Sequence, residues 1–456
     1  MMNRVTVAMD NAAPPNAAAG PLNSFQKLMR CWTSLAPYNA VQVMKIGGHA
    51  NLEHWQNAVK QVLAGLQASG CFPPMPEMAP VEHLPPETSC EQAIATALNK
   101  PFIPGRAPLR AAILPLPDAF LFILTYDHWI ADSWSIRELM RCIYFQAAGV
   151  AAVPGFAPLT TGPMPRAARM FGGLGESLQQ YLRHRRAARL HLSNPLDFQA
   201  GFLSRTLPES VIQRLRVPAA ELKVSIHDIF VAVLASLLGE MTRDQRCQKR
   251  RRFGRLSRNR VAIGSIVDIR KYIDAFAPRP GGAGDAQRAA AAASNRQFGV
   301  ALGFTTTLVP QPEAQSIRQL IRTVHQQHQR QKQTLAAVKS LDAMDMTRFF
   351  WNLYRQSRHH AYFFSKNLPL LAGISNINLA DQWMCSAPPK LPPILNYFRV
   401  SPVGPLLPVV WATTTFRDRL TIGLTYRRTA IDVAQAAALV DKFAETLERL
   451  PETLSA

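Results

Sequence analysis

The stretch AFLFILTYDHWIADSWS, residues 119–135, decides the fold of this chain. Its first half, Ala119–Tyr126, is a short apolar run rich in residues that favour strands, and it predicts a buried β-strand. Ser135 and Glu138 have the spacing of a capping box, and the apolar residues that follow recur at helical spacing. We therefore expect Asp127–Trp134 to be a loop between a buried strand and a capped helix, which is a rigid place to hold polar side chains.

Within this loop, His128 precedes Asp132 by four positions. The imidazole of a histidine titrates near neutral pH, so it can accept a proton from an attacking amine or hydroxyl. An aspartate one turn later can orient the ring, or it can brace the loop by pairing with an arginine. A hydrogen-bonded core histidine followed by a helix-entry aspartate would have the same spacing, so the spacing alone assigns no function.

Length and composition limit the classes of protein to which this chain can belong. Its 456 residues suffice for two or three domains, and 48% apolar residues can form cores, which excludes global disorder. No run of ~18 uncharged apolar residues is present, so we expect no membrane-spanning helix. Residues 1–20 lack a continuous apolar core and are predicted to be a flexible tail, not a signal peptide.

Neither the cysteines nor the histidines predict a metal site. The six cysteines are widely separated and form no C-x-x-C pair, which argues against a disulfide framework and a zinc ribbon: Cys31, Cys71, Cys90, Cys142, Cys247 and Cys385. His325 and His328 lie in a segment full of glutamine and arginine, where we expect a solvated helix face. We therefore expect no bound metal, and the cytoplasm is the simplest location.

The net charge of the chain is strongly positive. The 51 Lys and Arg against 30 Asp and Glu give +21, and much of the excess lies at 183–189 and at 248–260. A basic surface favours acidic partners, which include nucleic acid, coenzyme A phosphates, an acidic carrier protein and anionic lipid heads. No helix-turn-helix, zinc finger or recognised RNA-binding signature surrounds 248–260, so nucleic acid is not favoured. A solvated loop is the simplest interpretation of this run, and a docking patch for a carrier protein or coenzyme A is the functional one.

The remaining elements are predicted from periodicity and capping residues. Helices are expected at 24–35, 52–66, 91–98, 174–192, 226–241, 315–339 and 432–450. Strands are expected at 40–46, 201–207 and 261–269, with a hairpin over 408–426 that turns at Arg417-Asp418. The segment 273–297 is rich in Ala, Gly and Pro and is predicted to be a surface insertion.

The loop resembles the H-H-x-x-x-D-G signature of the condensation-domain superfamily, the chloramphenicol-acetyltransferase-like acyltransferases. This superfamily includes the condensation domains of nonribosomal peptide synthesis and their free-standing relatives. The resemblance extends to these further segments: Ser24-Phe25-Gln26 with Arg30 and Trp32, Pro101-Phe102, Pro108-Leu109-Arg110, Gly264–Arg270 and Ile374-Ser375-Asn376. Two positions depart from the signature, because Asp127 stands in place of the first histidine and Ser133 in place of the glycine.

The resemblance implies an α/β fold of two chloramphenicol-acetyltransferase-like sandwich lobes, arranged as a V-shaped pseudo-dimer with the site at their junction. On that basis we place the flexible tail at 1–20, the N-terminal lobe at 21–193 and the C-terminal lobe at 194–456. A monomer is the usual state of the family, and we expect it here.

The resemblance also implies a role for each residue of the site. His128 takes the position of the family's catalytic histidine, and Asp132 is expected to be structural and paired with Arg270. Ser133 adds a hydroxyl where the family's glycine leaves room for the thioester. The residues expected to shape the site are Asp127, Ser133 and Trp134.

The implied reaction is acyl transfer without a covalent enzyme intermediate. An acyl thioester on a pantetheine arm is the donor, a small amine or alcohol is the acceptor, and His128 takes the proton of the nucleophile. The chain shows no phosphopantetheine attachment segment, so we expect a separate carrier protein, with phosphopantetheine or coenzyme A brought by the donor. Two alternatives stay open: an acyl-CoA-dependent O-acyltransferase of the alcohol or wax-ester type, and a catalytically silent docking module or basic nucleic-acid binder.

Overall fold

A computed structural model describes residues 22–71, 80–103, 106–150, 155–158, 182–249, 258–273, 297–354, 357–379 and 391–455. The strands are β1 Asn39–Gly47, β2 Glu82–His83, β3 Leu109–Pro115, β4 Ala119–Asp127, β5 Ala157–Pro158, β6 Ala200–Leu207, β7 Arg260–Asp268, β8 Gln297–Phe298, β9 Leu302–Pro310, β10 Ala372–Leu379, β11 Ile394–Val400, β12 Val409–Phe416 and β13 Arg419–Arg427. The helices are α1 Ser24–Thr33, α2 Leu52–Ala68, α3 Cys90–Asn99, α4 Ser133–Ala147, α5 Glu209–Glu221, α6 Ile226–Lys249, α7 Arg270–Ile273, α8 Ile317–Gln333, α9 Ala336–Asn352, α10 Ser357–Asn367 and α11 Val433–Ser455. The predicted tail 1–20, the basic residues 250–257 and residues 274–296 of the predicted insertion lie outside the described residues.

The first sheet carries the candidate loop at the end of its central strand. Its strand order is β11-β1-β4-β3-β2, and β4 pairs antiparallel with both of its neighbours. Every residue of β4 is buried, as the apolar run predicts. Trp55 of α2 and Ile143 of α4 pack in the core on one face, and Phe25 of α1 belongs to the core on the other. The position of the loop after β4 is therefore set by a strand that is fixed on both edges and both faces.

The second sheet is mixed and has the strand order β6-β13-β12-β10-β7-β9. Strand β10 runs parallel to β12 and β7, while the other pairs are antiparallel. The predicted hairpin is confirmed: β12 and β13 turn at Arg417 and Asp418, whose positive φ angles of 47° and 63° suit a two-residue hairpin turn. Phe443 of α11 packs on Trp411 of β12, which anchors the last helix to this sheet.

Strand β11 comes from the second half of the chain but completes the first sheet. It pairs antiparallel with β1, with Val400 opposite Val41. Residues 394–400, which fall in the expected lobe 194–456 and not in the expected lobe 21–193, therefore belong to the first sheet. The physical reason is that the free edge of β1 needs a partner strand, and a division by sequence position cannot show which segment supplies it.

The helix after the loop begins two residues earlier than its predicted cap. Asp132 is the N-cap of α4, and its side chain accepts a hydrogen bond from the backbone N–H of Ser135 at 3.0 Å. Ser135 thus lies inside the first turn, and its predicted capping box with Glu138 is wrong. Asp132 is a better cap than Ser135, because its carboxylate can cap the helix and pair with a cation at the same time.

Two other helices differ from the predicted ones. The helix expected at 315–339 is divided into α8 and α9, because Leu335 adopts a left-handed conformation with a φ of 53°. Of the helix expected at 174–192, residues 182–184 are helical and Ala187 already forms a bridge with Arg260. Residues 174–181 lie outside the described part of the chain.

No single helix in the described ranges has both the length and the mean hydropathy of a membrane span. Glu209–Glu221 and Ile226–Arg243 reach these values only as a pair, and the pair is bent by 99°. The side chains of Ile229, Phe230 and Leu234 in the second segment are buried in the core of the second sheet.

Candidate active site

Backbone hydrogen bonds hold the end of β4 and the turn that follows it. The N–H of Asp127 donates to the carbonyl of Pro108 at 3.0 Å, and the N–H of His128 donates to the carbonyl of Tyr38 at 3.1 Å. Because β4 is central and buried, these two bonds fix the backbone from which the His128 side chain extends. A side chain on such a backbone keeps its position better than one on a free loop.

The ring of His128 is held in one orientation and one tautomer. Its Nδ1 lies 3.2 Å from the carbonyl oxygen of Ala131, and because that oxygen can only accept, Nδ1 carries the proton. Nε2 is then the ring nitrogen with the free lone pair. The ring stacks on Tyr38 at a centroid distance of 5.9 Å and meets the edge of Tyr126 at 5.7 Å. Burial lowers the pKa of His128 below its ordinary value, so the imidazole is neutral and can act as a base at pH 7.

The carboxylate of Asp132 forms a buried, bidentate ion pair with Arg270. Nη1 of Arg270 lies 2.8 Å from Oδ2 of Asp132, and Nη2 lies 2.9 Å from Oδ1. The side chain of Arg270 is 4% exposed and that of Asp132 is 0% exposed. Burial would raise the pKa of Asp132, but the charge and hydrogen bonds of Arg270 outweigh it and hold that pKa below its ordinary value. The structure thus contains the pairing that the sequence resemblance implied, with both partners ionised.

Asp132 and Ser135 also bind the start of α4 to the segment that precedes β9. The backbone N–H of Ala301 donates to Oδ2 of Asp132 at 2.9 Å, and the N–H of Asp132 donates to the carbonyl of Gly299 at 3.0 Å. The hydroxyl of Ser135 donates to the same Gly299 carbonyl at 3.0 Å. The loop that carries His128 is therefore clamped to residues from the second half of the chain.

Asp127 braces the loop through its neighbours. Its Oδ2 accepts a hydrogen bond from the indole N–H of Trp129 at 2.9 Å, and its Oδ1 accepts one from the hydroxyl of Thr33 at 3.4 Å. Trp129 is held in turn by Gln26, whose amide donates to its carbonyl, and by Arg30, whose guanidinium lies 5.3 Å from its ring. Burial raises the pKa of Asp127 to about 6. The residue in place of the signature's first histidine thus connects α1 to the loop.

Asp127→Asn is expected to stabilise the protein at pH 8 but not at pH 4. The raised pKa of about 6, against an ordinary value of 3.8, means that the folded state favours the protonated carboxyl. The protonated carboxyl of Asp127 therefore contributes its full stabilisation below pH 4, and this contribution is lost as the pH rises through 6. The asparagine cannot ionise, so the variant should exceed the wild type at pH 8 by about 2–3 kcal/mol. Urea unfolding at both pH values measures this, and an equal difference at both would contradict it.

Ser133 and Trp134 belong to the first turn of α4 and contact two arginines. Nη1 of Arg399 donates to the hydroxyl of Ser133 at 3.3 Å, and the amide of Gln42 donates to the Ser133 carbonyl at 2.9 Å. The ring of Trp134 lies 4.6 Å from the guanidinium carbon of Arg270. Sequence reasoning missed both Arg399 and Gln42. A glutamine inside the apolar strand β1 was the available signal, because a buried amide needs partners.

The predicted solvated face for His325 and His328 is wrong for His328, which is buried. Both rings donate through Nδ1 to the carboxylate of Asp228, at 2.9 Å for His325 and 2.5 Å for His328. Nε2 of His328 lies 3.0 Å from the hydroxyl of Thr307. Helix α8 packs against α6, and the sequence of α8 alone does not show which face is covered. In the part of the chain that the structure describes, no group of three or more His, Cys, Asp or Glu side chains is arranged to hold a metal ion.

Comparisons with known proteins identify the fold. No protein-family model matches the chain, and no curated protein matches it in sequence. Among solved structures, the first condensation domain of the CDA synthetase matches with a TM-score of 0.60 and 13% identity, over 96% of this chain and 98% of that chain. The TRI3 trichothecene 15-O-acetyltransferase from Fusarium sporotrichioides matches with a TM-score of 0.65 and 9% identity, over 94% of both chains. A starter condensation domain of the rhizomide synthetase, solved in complex with C8-CoA, matches with a TM-score of 0.58 and 12% identity, over 95% of both chains.

These likenesses cover nearly the whole chain and include both sheets. The chain therefore has the two-lobed, chloramphenicol-acetyltransferase-like α/β fold that these condensation domains and this acetyltransferase share. The expected fold class is confirmed. At identities of 9 to 13% the likeness establishes the fold, and the activity has to be argued from the site.

Proposed function

We propose that this protein is a condensation-type acyltransferase. It moves an acyl group from a phosphopantetheine thioester on a carrier protein to an amine or hydroxyl acceptor in specialised metabolism. The observation that carries the proposal is the state of His128: a neutral ring, protonated on Nδ1 by its bond to Ala131, with Nε2 available as a base. The fold supports the proposal because the solved structures that share it include condensation domains and an acetyltransferase.

In the proposed reaction, His128 is the general base. Nε2 takes the proton from the amine or hydroxyl as its nitrogen or oxygen attacks the thioester carbonyl carbon. The tetrahedral intermediate collapses, the carbon–sulfur bond breaks, and the departing thiolate takes the proton from the imidazolium. The products are the amide or ester and the free thiol, and the protein is unchanged. Base catalysis of this kind contributes ~10²–10⁴-fold, and alignment of the two substrates can contribute more.

Asp132 and Arg270 are positioning residues in this scheme. Their charges are paired at 2.8 Å, and the backbone N–H of Ala301 further occupies the carboxylate. A carboxylate whose pKa is held below its ordinary value is a poor proton acceptor. Its contribution is to fix the start of α4, and with it the turn that carries His128.

The identity of the donor is the part of the proposal that an assay decides most directly. We would offer the same short and long acyl groups on coenzyme A and on phosphopantetheinylated carrier proteins, with pooled amines and alcohols, and detect products by intact mass. The net charge of +21 is suited to an acidic carrier, so we expect carrier-bound donors to give a kcat/KM at least tenfold above coenzyme A donors. That advantage should shrink as salt rises from 50 to 500 mM.

Equal or better use of coenzyme A would contradict the carrier assignment. It would favour an acyl-CoA-dependent O-acyltransferase; one of the matched solved structures is a trichothecene 15-O-acetyltransferase. A wild-type protein that is inert with every donor would favour a docking module instead, which the departures at Asp127 and Ser133 keep open.

A further inference from the structure

Arg399 of β11 is a buried cation that lies next to the start of α4. No carboxylate in the described ranges forms an ion pair with it. The residue is 4% exposed, and its guanidinium donates to the hydroxyls of Ser133 and Ser375, at 3.3 and 3.1 Å, and to the carbonyls of Ser375 and Thr413. All four partners are neutral. Its Nε has no hydrogen-bond partner in the described part of the chain. A buried charge in such surroundings is costly unless an anion compensates it.

The arginines around it differ in this respect. Arg270 is paired with Asp132 and also lies 3.4 Å from a carboxylate oxygen of Asp268. Arg137 of α4 lies 3.8 Å from Glu138. These neighbours have anionic partners of their own, so none of those partners is free to neutralise Arg399.

Ser133 and Ser375 lie between the buried guanidinium of Arg399 and the solvent-accessible surface. Ser133 and Ser375 are both partly exposed, whereas Arg399 behind them is buried. Because each hydroxyl oxygen accepts from Nη1 of Arg399, each hydroxyl proton remains available to donate to another acceptor. Two hydroxyl donors polarised by one buried cation match the two oxygens of a carboxylate.

The site lies beside the proposed reaction centre. Ser133 directly follows Asp132, and the charge of Arg399 is one of the influences that lower the pKa of His128. An acyl thioester carries no charge at its carbonyl, and the phosphate of a pantetheine arm is many bonds from its sulfur. We therefore assign an anion at this position to the molecule that attacks the thioester.

We propose that the hydroxyls of Ser133 and Ser375, with Arg399 behind them, bind the carboxylate of a free amino-acid or hydroxy-acid acceptor. This inference rests on the proposed function and names its acceptor class. It also gives a use to Ser133, the position where this chain departs from the glycine of the signature. An acceptor held by its carboxylate must be a free acid, since the carboxyl of a carrier-bound acceptor is already a thioester.

The test compares acids with their uncharged amides. Acyl transfer to alanine, β-alanine and 3-hydroxybutyrate would be measured beside transfer to alaninamide, β-alaninamide and 3-hydroxybutyramide. We expect the wild type to prefer each acid at least tenfold in kcat/KM. Ser133→Ala and Ser375→Ala should each raise KM for the acids about tenfold, and leave KM for the amides unchanged. Arg399→Gln should remove the preference for acids altogether.

Matched controls separate this role from a structural one. Arg427→Gln removes another buried arginine with an unpartnered Nε, which contacts the carbonyls of Pro195 and Asp197. Ser193→Ala removes a hydroxyl that makes one 3.3 Å bond to a backbone carbonyl. Both variants should keep the acid preference. Equal losses with acids and amides in Ser133→Ala would show that the hydroxyl acts on the fold or the chemical step, and would overturn the inference.

The inference and the proposed function can fail separately. If transfer proceeds but the wild type uses acids and amides equally, the carboxylate site is wrong and the acyltransferase stands. If no donor gives transfer, the proposed function fails, and calorimetric titration of the wild type with β-alanine decides the site alone. Binding that is lost in Ser133→Ala would support a carboxylate site, and absence of binding to the wild type would refute it.

Discussion

His128→Ala is expected to lower kcat for acyl transfer by a factor of about 10² to 10⁴, with KM for both substrates little changed. The variant removes Nε2, the nitrogen that takes the proton of the nucleophile, and leaves the residues that bind the substrates in place. Single-turnover transfer from a pre-loaded carrier, followed by intact mass, measures the chemical step without product release. A fall of less than threefold would mean that another group is the base or that alignment alone supplies the rate.

His360→Ala is the matched control for this experiment. His360 also stacks on an aromatic ring, that of Trp351 at 4.3 Å, and its Nε2 lies 3.0 Å from a backbone carbonyl oxygen. The two substitutions therefore remove similar packing and one similar hydrogen bond. We expect kcat to be unchanged in His360→Ala, and both variants to unfold at denaturant concentrations close to one another.

The pH profile provides a second readout of the same residue. Because burial lowers the pKa of His128, its ring is mostly neutral at pH 6.5, the ordinary pKa of histidine, and at every higher pH. The kcat/KM of the wild type should therefore fall at a lower pH than it would with an ordinary histidine as the base. The residual activity of His128→Ala should lack this acid limb.

The largest loss of stability is expected for Asp132→Ala. The substitution leaves the guanidinium of Arg270 buried without its bidentate partner, and it also removes the N-cap of α4. Breaking a buried ion pair costs about 3–5 kcal/mol, and a lost cap adds about 1 kcal/mol. Asp268 lies close enough to Arg270 to compensate part of the charge, so we expect about 3–4 kcal/mol in total. Urea denaturation at pH 7 measures the difference in free energy of unfolding.

Two comparisons show whether the ion pair is the cause of that loss. Asp441→Ala breaks the exposed pair with Arg205, whose side chains are 55% and 38% exposed, and should cost less than about 1 kcal/mol. Asp132→Asn combined with Arg270→Met leaves no fully buried charge unpaired, because the Asp268 side chain that also loses Arg270 is 48% exposed, and it keeps a capping side chain. The double variant should therefore be more stable than Asp132→Ala. If the double variant is the less stable of the two, the uncompensated charge is not the main cause.

The strand β4, the turn after it and most of the helices could be predicted because their signals are local. An apolar run of eight residues predicts a buried strand, and Asn51 and Ser225 precede helices as capping residues do. The cap of α4 could not be chosen correctly in this way, because Asp132 and Ser135 both fit a capping pattern. The preference for Asp132 comes from Arg270, which lies 138 residues later in the sequence.

The parts of the candidate site that were missed depend on pairing between distant segments. Arg399 reaches Ser133 only because β11 lies next to β1, and strand order is not encoded in the residues of one strand. The break between α8 and α9 falls at Leu335. Leucine rarely adopts a left-handed conformation, so its presence there did not predict the break. His128, Asp132 and Arg270 could be named in advance because a resemblance supplied the long-range information that their spacing lacks.

The insertion of β11 into the first sheet also has a consequence for the order of synthesis. Gln42 of β1 and Tyr397 of β11 are hydrogen-bonded to each other but lie 355 residues apart. At about 5–20 residues per second, the ribosome needs roughly 20 to 70 s to make the intervening chain. Throughout that time the nascent N-terminal half exposes the unpaired backbone of β1, a template for wrong strand pairing. Completion of the first sheet must therefore wait until β11 has been synthesised, and we expect chains truncated before residue 394 to aggregate and not to fold as an autonomous lobe.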